Sequence, residues 1–433
     1  MGPLEARMKF LWSAVLITTV ACHKEIDDWP LPPITDYRTY DWVTVAVKED
    51  PFSGGFVLLC KDYPADRRTS CLQLLGETGE PGARIRFDQW PDLIGVVQFD
   101  NDRILYTDFL PLEGGRFFVA GMGRMTNSGQ MHLIARFTDS QGGLDTSYSI
   151  PANPDVTYPA QDADLFEDAH GLPRERVLCG RPEQSEIVAA LRWESNSGAT
   201  IRTFSCQADG SSGPTAWLGN SDITSVDQTK RMYLLTCDPA SQRTLLVSDV
   251  EIDERVRIKE GEEVPLGNPW TDEWPLGTTG TNAQPEQVMV EDGVVIIAGW
   301  LDGSTEAETK AFLFRKDMEG ADEGDLRVLN GIGNGAQPVS SYCFGYWEGT
   351  VHIVAHVQEA GGPRPYFQTD LSSDMVIVDL DADLNIVSTE TIVAKQGLRA
   401  IGYFKRNGRR VIIGSQHPFL NATYQHTFLI ALD

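Results

Sequence analysis

Aromatic and acidic side chains that could bind a ligand stand together in the stretch 267–282. Trp270 and Trp274 lie there beside Asp272 and Glu273. Exposed Trp next to acids suits stacking on sugar rings or anchoring a protein partner. The alternative is that both indoles pack into a small core of their own loop. We take these four residues as candidate ligand-binding residues.

A second stretch, 161–170, carries four carboxylates that could hold a hard cation: Asp162, Asp164, Glu167 and Asp168. Carboxylate oxygens are the ligands that Ca²⁺ takes in proteins. The stretch has no fixed ligand spacing, so a solvated acidic loop is the favoured interpretation. Ca²⁺ is therefore the one candidate cofactor, and we expect no other.

A third acidic run has the first ligand positions of a calcium loop: Asp379, Asp381, Asp383 and Asn385. Position six of that loop is Leu384, where the tight turn demands Gly. Both flanking segments read as strands. The context predicts a polar turn between two strands and not a calcium site.

Histidines and hydroxyls form no recognisable catalytic pattern. His352 and His356 stand four residues apart, which on a strand rising ~3.3 Å per residue means about 13 Å, too far for a shared metal. The sequence has no G-x-S-x-G elbow and no Gly-rich phosphate loop after a strand. We assign no catalytic residue. A glycoside hydrolase or polysaccharide lyase remains the alternative, because two facing carboxylates suffice for a glycosidase.

The chain is strongly acidic, with 36 Lys and Arg against 62 Asp and Glu and a formal net charge of −26. Such a surface repels nucleic acid and anionic lipid, so neither is expected as a partner. Its 433 residues, with 40 Gly and 24 Pro, allow two or three turn-rich domains or one large repeat fold.

The N-terminus carries a targeting signal. Met8 and Lys9 precede an apolar run over 10–20 that is too short to span a bilayer, and the run ends at Thr19-Val20-Ala21-Cys22. This resembles a bacterial lipoprotein signal, in which small residues precede a Cys that is lipidated. The resemblance implies a signal peptide at 1–21, lipidation at Cys22 and an exported envelope protein, whose expected location is the outer membrane. Residues 22–36 would form a polar tether; an ordinary secretory signal is the alternative.

Apolar runs recur along the rest of the chain at a period of about 59 residues. Seven such runs end at Cys60, Gly121, Gly180, Cys237, Gly299, Ala355 and Gly414. Further apolar runs, with Asp-Gly and Asn-Gly turns between them, make each unit four antiparallel strands. We predict one all-β domain over 37–433, a seven-bladed β-propeller, with six or eight blades as alternatives. The last copy lacks its fourth strand, so residues 34–40 are expected to close the ring.

The copy at 114–150 is similar to the bacterial delta-sixty repeat family. The matching residues are Val119, Ala120, Gly121, Ala135, Arg136, Phe137, Gly143, Leu144, Asp145, Thr146, Ser147 and Tyr148. The resemblance implies a propeller-like envelope protein and brings no catalytic residues with it.

Six cysteines follow Cys22, and the repeat pattern pairs two of them. Cys60 ends the second strand of its unit and Cys71 begins the third. The two should lie opposite each other and form a disulfide in an oxidising compartment.

The longest loops are expected on one end of the propeller, where second and third strands and successive blades are joined. Long loops gathered on a rigid scaffold are where binding usually resides. We therefore expect a monomeric, non-catalytic scaffold that binds an envelope protein or glycan there and meets the membrane only through its lipid.

Overall fold

The computed structural model describes the strands and most of the short turns. The described residues are 36–61, 71–90, 93–94, 97–125, 131–145, 177–180, 186–195, 198–208, 218–222, 231–238, 243–249, 254–259, 272–276, 283–291, 293–301, 310–319, 324–329, 339–357, 374–381, 383–392, 397–417 and 426–432. Among them no helix is long and apolar enough to cross a membrane.

The described residues form 28 strands. The first half of the chain holds β1 (Asp36–Tyr40), β2 (Val43–Glu49), β3 (Phe56–Lys61), β4 (Cys71–Leu75), β5 (Pro81–Arg86), β6 (Leu93–Ile94), β7 (Val97–Leu112), β8 (Arg116–Met125), β9 (Met131–Phe137), β10 (Val177–Gly180), β11 (Glu186–Ser195), β12 (Gly198–Gln207) and β13 (Leu218–Asp222). The second half holds β14 (Arg231–Asp238), β15 (Arg243–Asp249), β16 (Glu254–Lys259), β17 (Asp272–Pro275), β18 (Ala283–Glu291), β19 (Val294–Leu301), β20 (Lys310–Asp317), β21 (Asp325–Val328), β22 (Val339–Trp347), β23 (Thr350–Val357), β24 (Asp374–Leu380), β25 (Ile386–Ile392), β26 (Gly397–Arg406), β27 (Arg409–His417) and β28 (His426–Leu432).

These strands pair into small antiparallel sheets, which confirms the all-β prediction. Within the described part of the chain there are seven four-stranded sheets: β2–β5, β6–β9, β10–β13, β14–β17, β18–β21, β22–β25, and β26–β28 with β1. One strand of each sheet contacts its counterparts in the two neighbouring sheets, in the cyclic order β2, β7, β10, β14, β18, β22, β26 and back to β2. Cyclic packing of this kind is the arrangement of a β-propeller.

Apolar cores lie between consecutive sheets. Successive side chains of a strand point to opposite faces of its sheet, and both faces carry apolar residues. On β3, Val57 and Leu59 pack toward the next sheet with Val119, while Leu58 packs toward the last sheet with Ile413. Every residue of β3 is buried. A strand covered on both faces reads as an unbroken apolar run, which is why the repeat was visible in the sequence.

The N-terminal strand completes the last sheet, as predicted. β1 pairs antiparallel with β28 from Asp36 opposite Ala431 to Tyr40 opposite Thr427. Only two residues separate β1 from β2 of the first sheet, so this short link joins the last sheet to the first. Buried hydroxyls reinforce the junction: Thr44 and Thr427 are hydrogen-bonded at 2.7 Å, and Ser415 donates to the Thr44 carbonyl at 2.8 Å.

Three repeat copies were aligned wrongly from the sequence. The runs ending at Gly121, Gly180 and Cys237 were expected to be second strands, but β8 is the third strand of its sheet, and β10 and β14 are the first strands of theirs. The segments VLCG of β10 and YLLTC of β14 are as apolar as the second strands of other copies, so apolarity alone does not distinguish the two positions.

The acidic run after β24 is the predicted polar turn. The Asp381 carboxylate accepts hydrogen bonds from the backbone N–H groups of Asp383 at 3.0 Å and Asn385 at 2.8 Å. Leu384 takes the left-handed conformation with φ of 60°. Because side-chain and backbone contacts within the turn hold Asp381, the turn needs no cation.

Candidate functional site

Only some of the candidate residues named from the sequence lie among the described residues. Trp270, Cys22 and the four carboxylates at 162–168 lie outside the described residues, so the lipid anchor and the cation site stay predictions. Asp272, Glu273 and Trp274 belong to β17, the last strand of its sheet, and pair with Ile258, Arg257 and Val256. The stretch 267–282 is therefore not all loop, since it contains β17.

The position of β17 also moves this candidate to the other end of the propeller. β16 and β17 are the third and fourth strands of their sheet, and Asp272 lies opposite Ile258, near the end of β16. Antiparallel pairing puts that end together with the β14–β15 turn. The sequence argument placed these residues at the opposite end because it counted β14 as a second strand.

The end where β18 and β26 begin carries an ion pair between sheets that are not neighbours. Arg399 Nη2 of β26 lies 3.4 Å from Glu286 Oε2 of β18, and each side chain is about a quarter exposed, at 22% and 26%. β22 contacts both strands, so the pair reaches past the sheet between them. This is the end from which the segments between second and third strands leave. The longest of those among sheets five to seven joins β23 to β24 over 358–373.

Carboxylates at other sheet junctions are also paired with cations. Lys48 of β2 lies 2.7 Å from Asp108 of β7, and Arg406 of β26 lies 3.0 Å from Glu49 of β2. These pairs join the first sheet to its two neighbours.

A hydroxyl–imidazole–carboxylate row crosses the sheet β22–β25. Thr350 Oγ1 lies 2.8 Å from His352 Nε2, and His352 Nδ1 lies 2.7 Å from Asp379 Oδ1. Ser388 donates to the other carboxylate oxygen at 2.5 Å. The register produces this row, since His352 is opposite Asp379 and Asp379 is opposite Ser388. The row lies near the two-residue β22–β23 turn, away from the Arg399–Glu286 end.

Aromatic rings cover one side of this row. Trp347 stacks on the His352 ring with centroids 4.1 Å apart and an interplanar angle of 9°. Tyr403 of the neighbouring sheet meets Trp347 edge-on at 5.0 Å. Burial raises the pKa of the Tyr403 phenol, which therefore stays neutral. The His352 side chain is only 14% exposed beneath these rings.

Counting protons shows what the row can do. Thr350 has one hydroxyl proton, and its oxygen is also 3.0 Å from the Trp347 carbonyl, where it donates. With that proton committed to the Trp347 carbonyl, the Thr350 oxygen can accept a hydrogen bond from Nε2–H, and Asp379 lies on the other side of the ring. A neutral His352 would instead accept the Thr350 proton, which is how a general base activates a hydroxyl.

The hydrogen bonds to Asp379 favour the ionised form of its carboxyl group. Burial alone would raise the pKa of this carboxyl, but the hydrogen bonds from Ser388 and His352 outweigh burial and lower it. The pKa values of Glu80, Glu348 and Asp381 are also lowered, by the hydrogen bonds from Thr78, Lys405 and Asn385 respectively. A glycosidase acid needs the opposite shift.

Sequence reasoning missed this row because it weighed His352 only against His356. Residues 352, 379 and 388 are joined by strand register, and no spacing in the sequence shows it. A prediction of the β23–β24 pairing would have been the one available signal.

Comparison with known proteins gives a likeness of fold at low identity. No family model matches the chain, and no curated protein matches it. The polysaccharide lyase Uly1 shares 9% identity over 90% of each chain with a TM-score of 0.49. The hydrazine synthase of Kuenenia stuttgartiensis shares 7% identity over 77% of this chain and 79% of its own, with a TM-score of 0.42. The endosialidase of phage phi92 shares 10% identity over 91% of this chain and 69% of its own, with a TM-score of 0.41. With all three TM-scores below 0.5, these likenesses carry no functional argument.

Proposed function

We propose that this chain is a lipid-anchored envelope protein whose seven-bladed β-propeller binds an envelope protein or a glycan without cleaving it. The seven described sheets support the blade count. So does the apolar core in which Leu58 of the first sheet meets Ile413 of the last.

The ion pair between Glu286 and Arg399 is the observation that favours ligand binding over ligand cleavage. In a propeller, the first strands of the sheets surround the central axis, and ligands commonly enter there. Glycoside hydrolysis needs two carboxyl groups facing each other, one of them with a raised pKa. Here Glu286, one of the carboxylates at this end, faces a guanidinium from a non-neighbouring sheet. Such a pair can orient a polar or charged ligand but provides no general acid.

The binding end is proposed to be the one that carries Glu286 and Arg399. The segments 302–309, 358–373 and 418–425, which join second to third strands, all leave from it. At the other end the corresponding turns over 348–349 and 407–408 are two residues long. Trp270, Trp274, Asp272 and Glu273 remain a second candidate surface, and Asp162, Asp164, Glu167 and Asp168 a candidate cation site.

The test is affinity electrophoresis through gels that contain neutral or acidic polysaccharides, with assay of the same polysaccharides for new reducing ends and unsaturated products. Wild type would be compared with Glu286→Gln/Arg399→Met, and with Trp270→Ala/Trp274→Ala as the matched pair for the other surface. Retardation without products, lost in the first variant only, is expected for a glycan ligand. For a protein ligand, the same three proteins serve as baits in envelope extract. Products of cleavage would overturn the non-catalytic proposal.

A glycan-cleaving enzyme is the second candidate, and the row of Thr350, His352 and Asp379 favours it. A neutral imidazole oriented by a carboxylate is a competent general base. If the products assay is positive, His352→Gln should abolish the activity. An unchanged rate in that variant would exclude the row as its source.

A further inference from the structure

A buried guanidinium lies between the first two sheets. Arg136 of β9 is 3% exposed. Within the described part of the chain, neither its Nε nor its Nη2 has a hydrogen-bond partner. Its strand neighbour Ile134, on the same face, packs in the core that joins the two sheets.

The described groups known to lie near Arg136 are aromatic. Its Cζ lies 5.8 Å from the centroid of the Trp90 ring. Trp90 in turn meets Tyr106 edge-on at 5.8 Å and Phe87 at 4.7 Å. Burial raises the pKa of Tyr106 to about 12, against the lowering effect of Arg136, so the phenol is not an anion at neutral pH. Ring faces offset part of the desolvation of a guanidinium, but they do not satisfy its N–H groups.

Nearby cations of the same two sheets have acidic partners. Arg116 of β8 lies 3.7 Å from Asp145, and Lys48 lies 2.7 Å from Asp108. Arg136 differs from both, since none of the described carboxylates is paired with it. A buried charge left without a partner is strongly destabilising, so a guanidinium whose Nε and Nη2 are unsatisfied among the described residues is a place where an acidic group from another molecule could bind.

We propose that Arg136 binds the carboxylate of a small acidic ligand. Nε–H and Nη2–H form one edge of the guanidinium, and two parallel bonds from that edge fit the two oxygens of a carboxylate. The ring of Trp90 would cover the guanidinium plane. The site is independent of the proposed function, since it lies between two sheets and away from Glu286 and Arg399.

Thermal unfolding of the whole exported chain tests this site. Sodium acetate would be titrated against acetamide, its neutral isostere, and sodium glucuronate against glucose, at constant ionic strength. Wild type is compared with two variants. Arg136→Met removes the charge but keeps a side chain of similar length. Arg136→Lys keeps the charge but cannot offer two parallel N–H donors to a carboxylate. Arg84→Met is the matched control, because Arg84 also stands over a Trp ring, at 5.1 Å from Trp42, but is exposed.

The proposal predicts a saturable rise in the unfolding midpoint of wild type and Arg84→Met with a carboxylate and none with its neutral match. At 100 times Kd the folded-to-unfolded ratio should rise about 100-fold. Arg136→Met should fold and show no response, and Arg136→Lys should respond at least ten times more weakly. Response to acetate alone would indicate a small anion, and response to glucuronate a uronate-bearing glycan.

Equal responses in wild type and Arg136→Met would overturn the proposal. So would a wild type that ignores both carboxylates. If such a wild type were also much more stable than Arg136→Met, the partner of Arg136 would belong to the chain itself and no ligand site would exist.

Discussion

The pair of His352 and Asp379 should stabilise the sheet β22–β25 by an amount that a double-mutant cycle can measure. The perturbations are His352→Gln, Asp379→Asn and the two together. The Nδ1–Oδ1 distance is 2.7 Å, and the side chains are 14% and 32% exposed. Fully exposed pairs contribute about 0.2–1 kcal/mol, and hydrogen bonds to charged groups about 1.5–3 kcal/mol. A half-buried pair should therefore show a coupling energy of about 1–2 kcal/mol at neutral pH.

The pH dependence of this coupling has a definite sign. Hydrogen bonds lower the folded-state pKa of Asp379 below its ordinary value of 3.8. A carboxyl with a lowered pKa contributes stability above its unfolded-state pKa, and that contribution is lost as the pH falls through the lowered folded-state value. The part of the coupling that depends on ionised Asp379 should hold at pH near 5 and shrink below the ordinary value.

Urea unfolding of the four proteins, at neutral pH and at the lowest pH where wild type stays folded, measures both quantities. Glu348→Gln is the matched control, because Glu348 pairs with Lys405 at an exposed position and should behave like wild type. A coupling below about 0.3 kcal/mol, within the usual error of additivity, would refute the reasoning. So would a coupling that is unchanged after Asp379 is protonated.

Three further predictions concern the closure and the export of the chain. A chain that begins at residue 41 lacks β1 and should unfold at clearly lower urea than one that begins at 36; equal midpoints would contradict closure by 36–40. Cys60 and Cys71 are register partners and are both 0% exposed, so mass spectrometry of the exported protein should find them linked. The double Ser variant should then lose about 2–3 kcal/mol, whereas two thiols in exported protein would refute the bond. Cys22→Ala should release the protein from membranes during fractionation, and a variant that still sediments with them would exclude lipidation at that residue.

Much of the fold could be predicted because burial on both faces leaves a plain trace in the sequence. The run Phe56 to Cys60 is apolar without a break because sheets cover it on two sides. The missing strand of the last copy pointed to residues ahead of the first, and β1 does pair with β28. Leu384 stands where a calcium loop needs Gly, and the residues from Asp381 to Asn385 form a turn held by hydrogen bonds.

The errors came from strand order and register, which depend on contacts far apart in the chain. β10 and β14 resemble second strands in composition. Because β14 was counted as a second strand instead of a first, Asp272 was predicted at the wrong end of the propeller. The contact of His352 with Asp379 spans 27 residues, and the pair of Arg399 with Glu286 spans 113. Arg136 matched a repeat motif in the sequence. Only the folded chain shows that its Nε and Nη2 have no hydrogen-bond partner among the described residues.

The most direct test of the proposed function is a hydrogen-exchange footprint of the chain with its best-retained glycan or captured protein. The account predicts slower exchange in peptides that cover 302–309, 358–373 and 418–425, with no change over 348–349 and 407–408. Protection confined to the two short turns, or spread equally over both ends, would contradict binding at the end that carries Glu286 and Arg399.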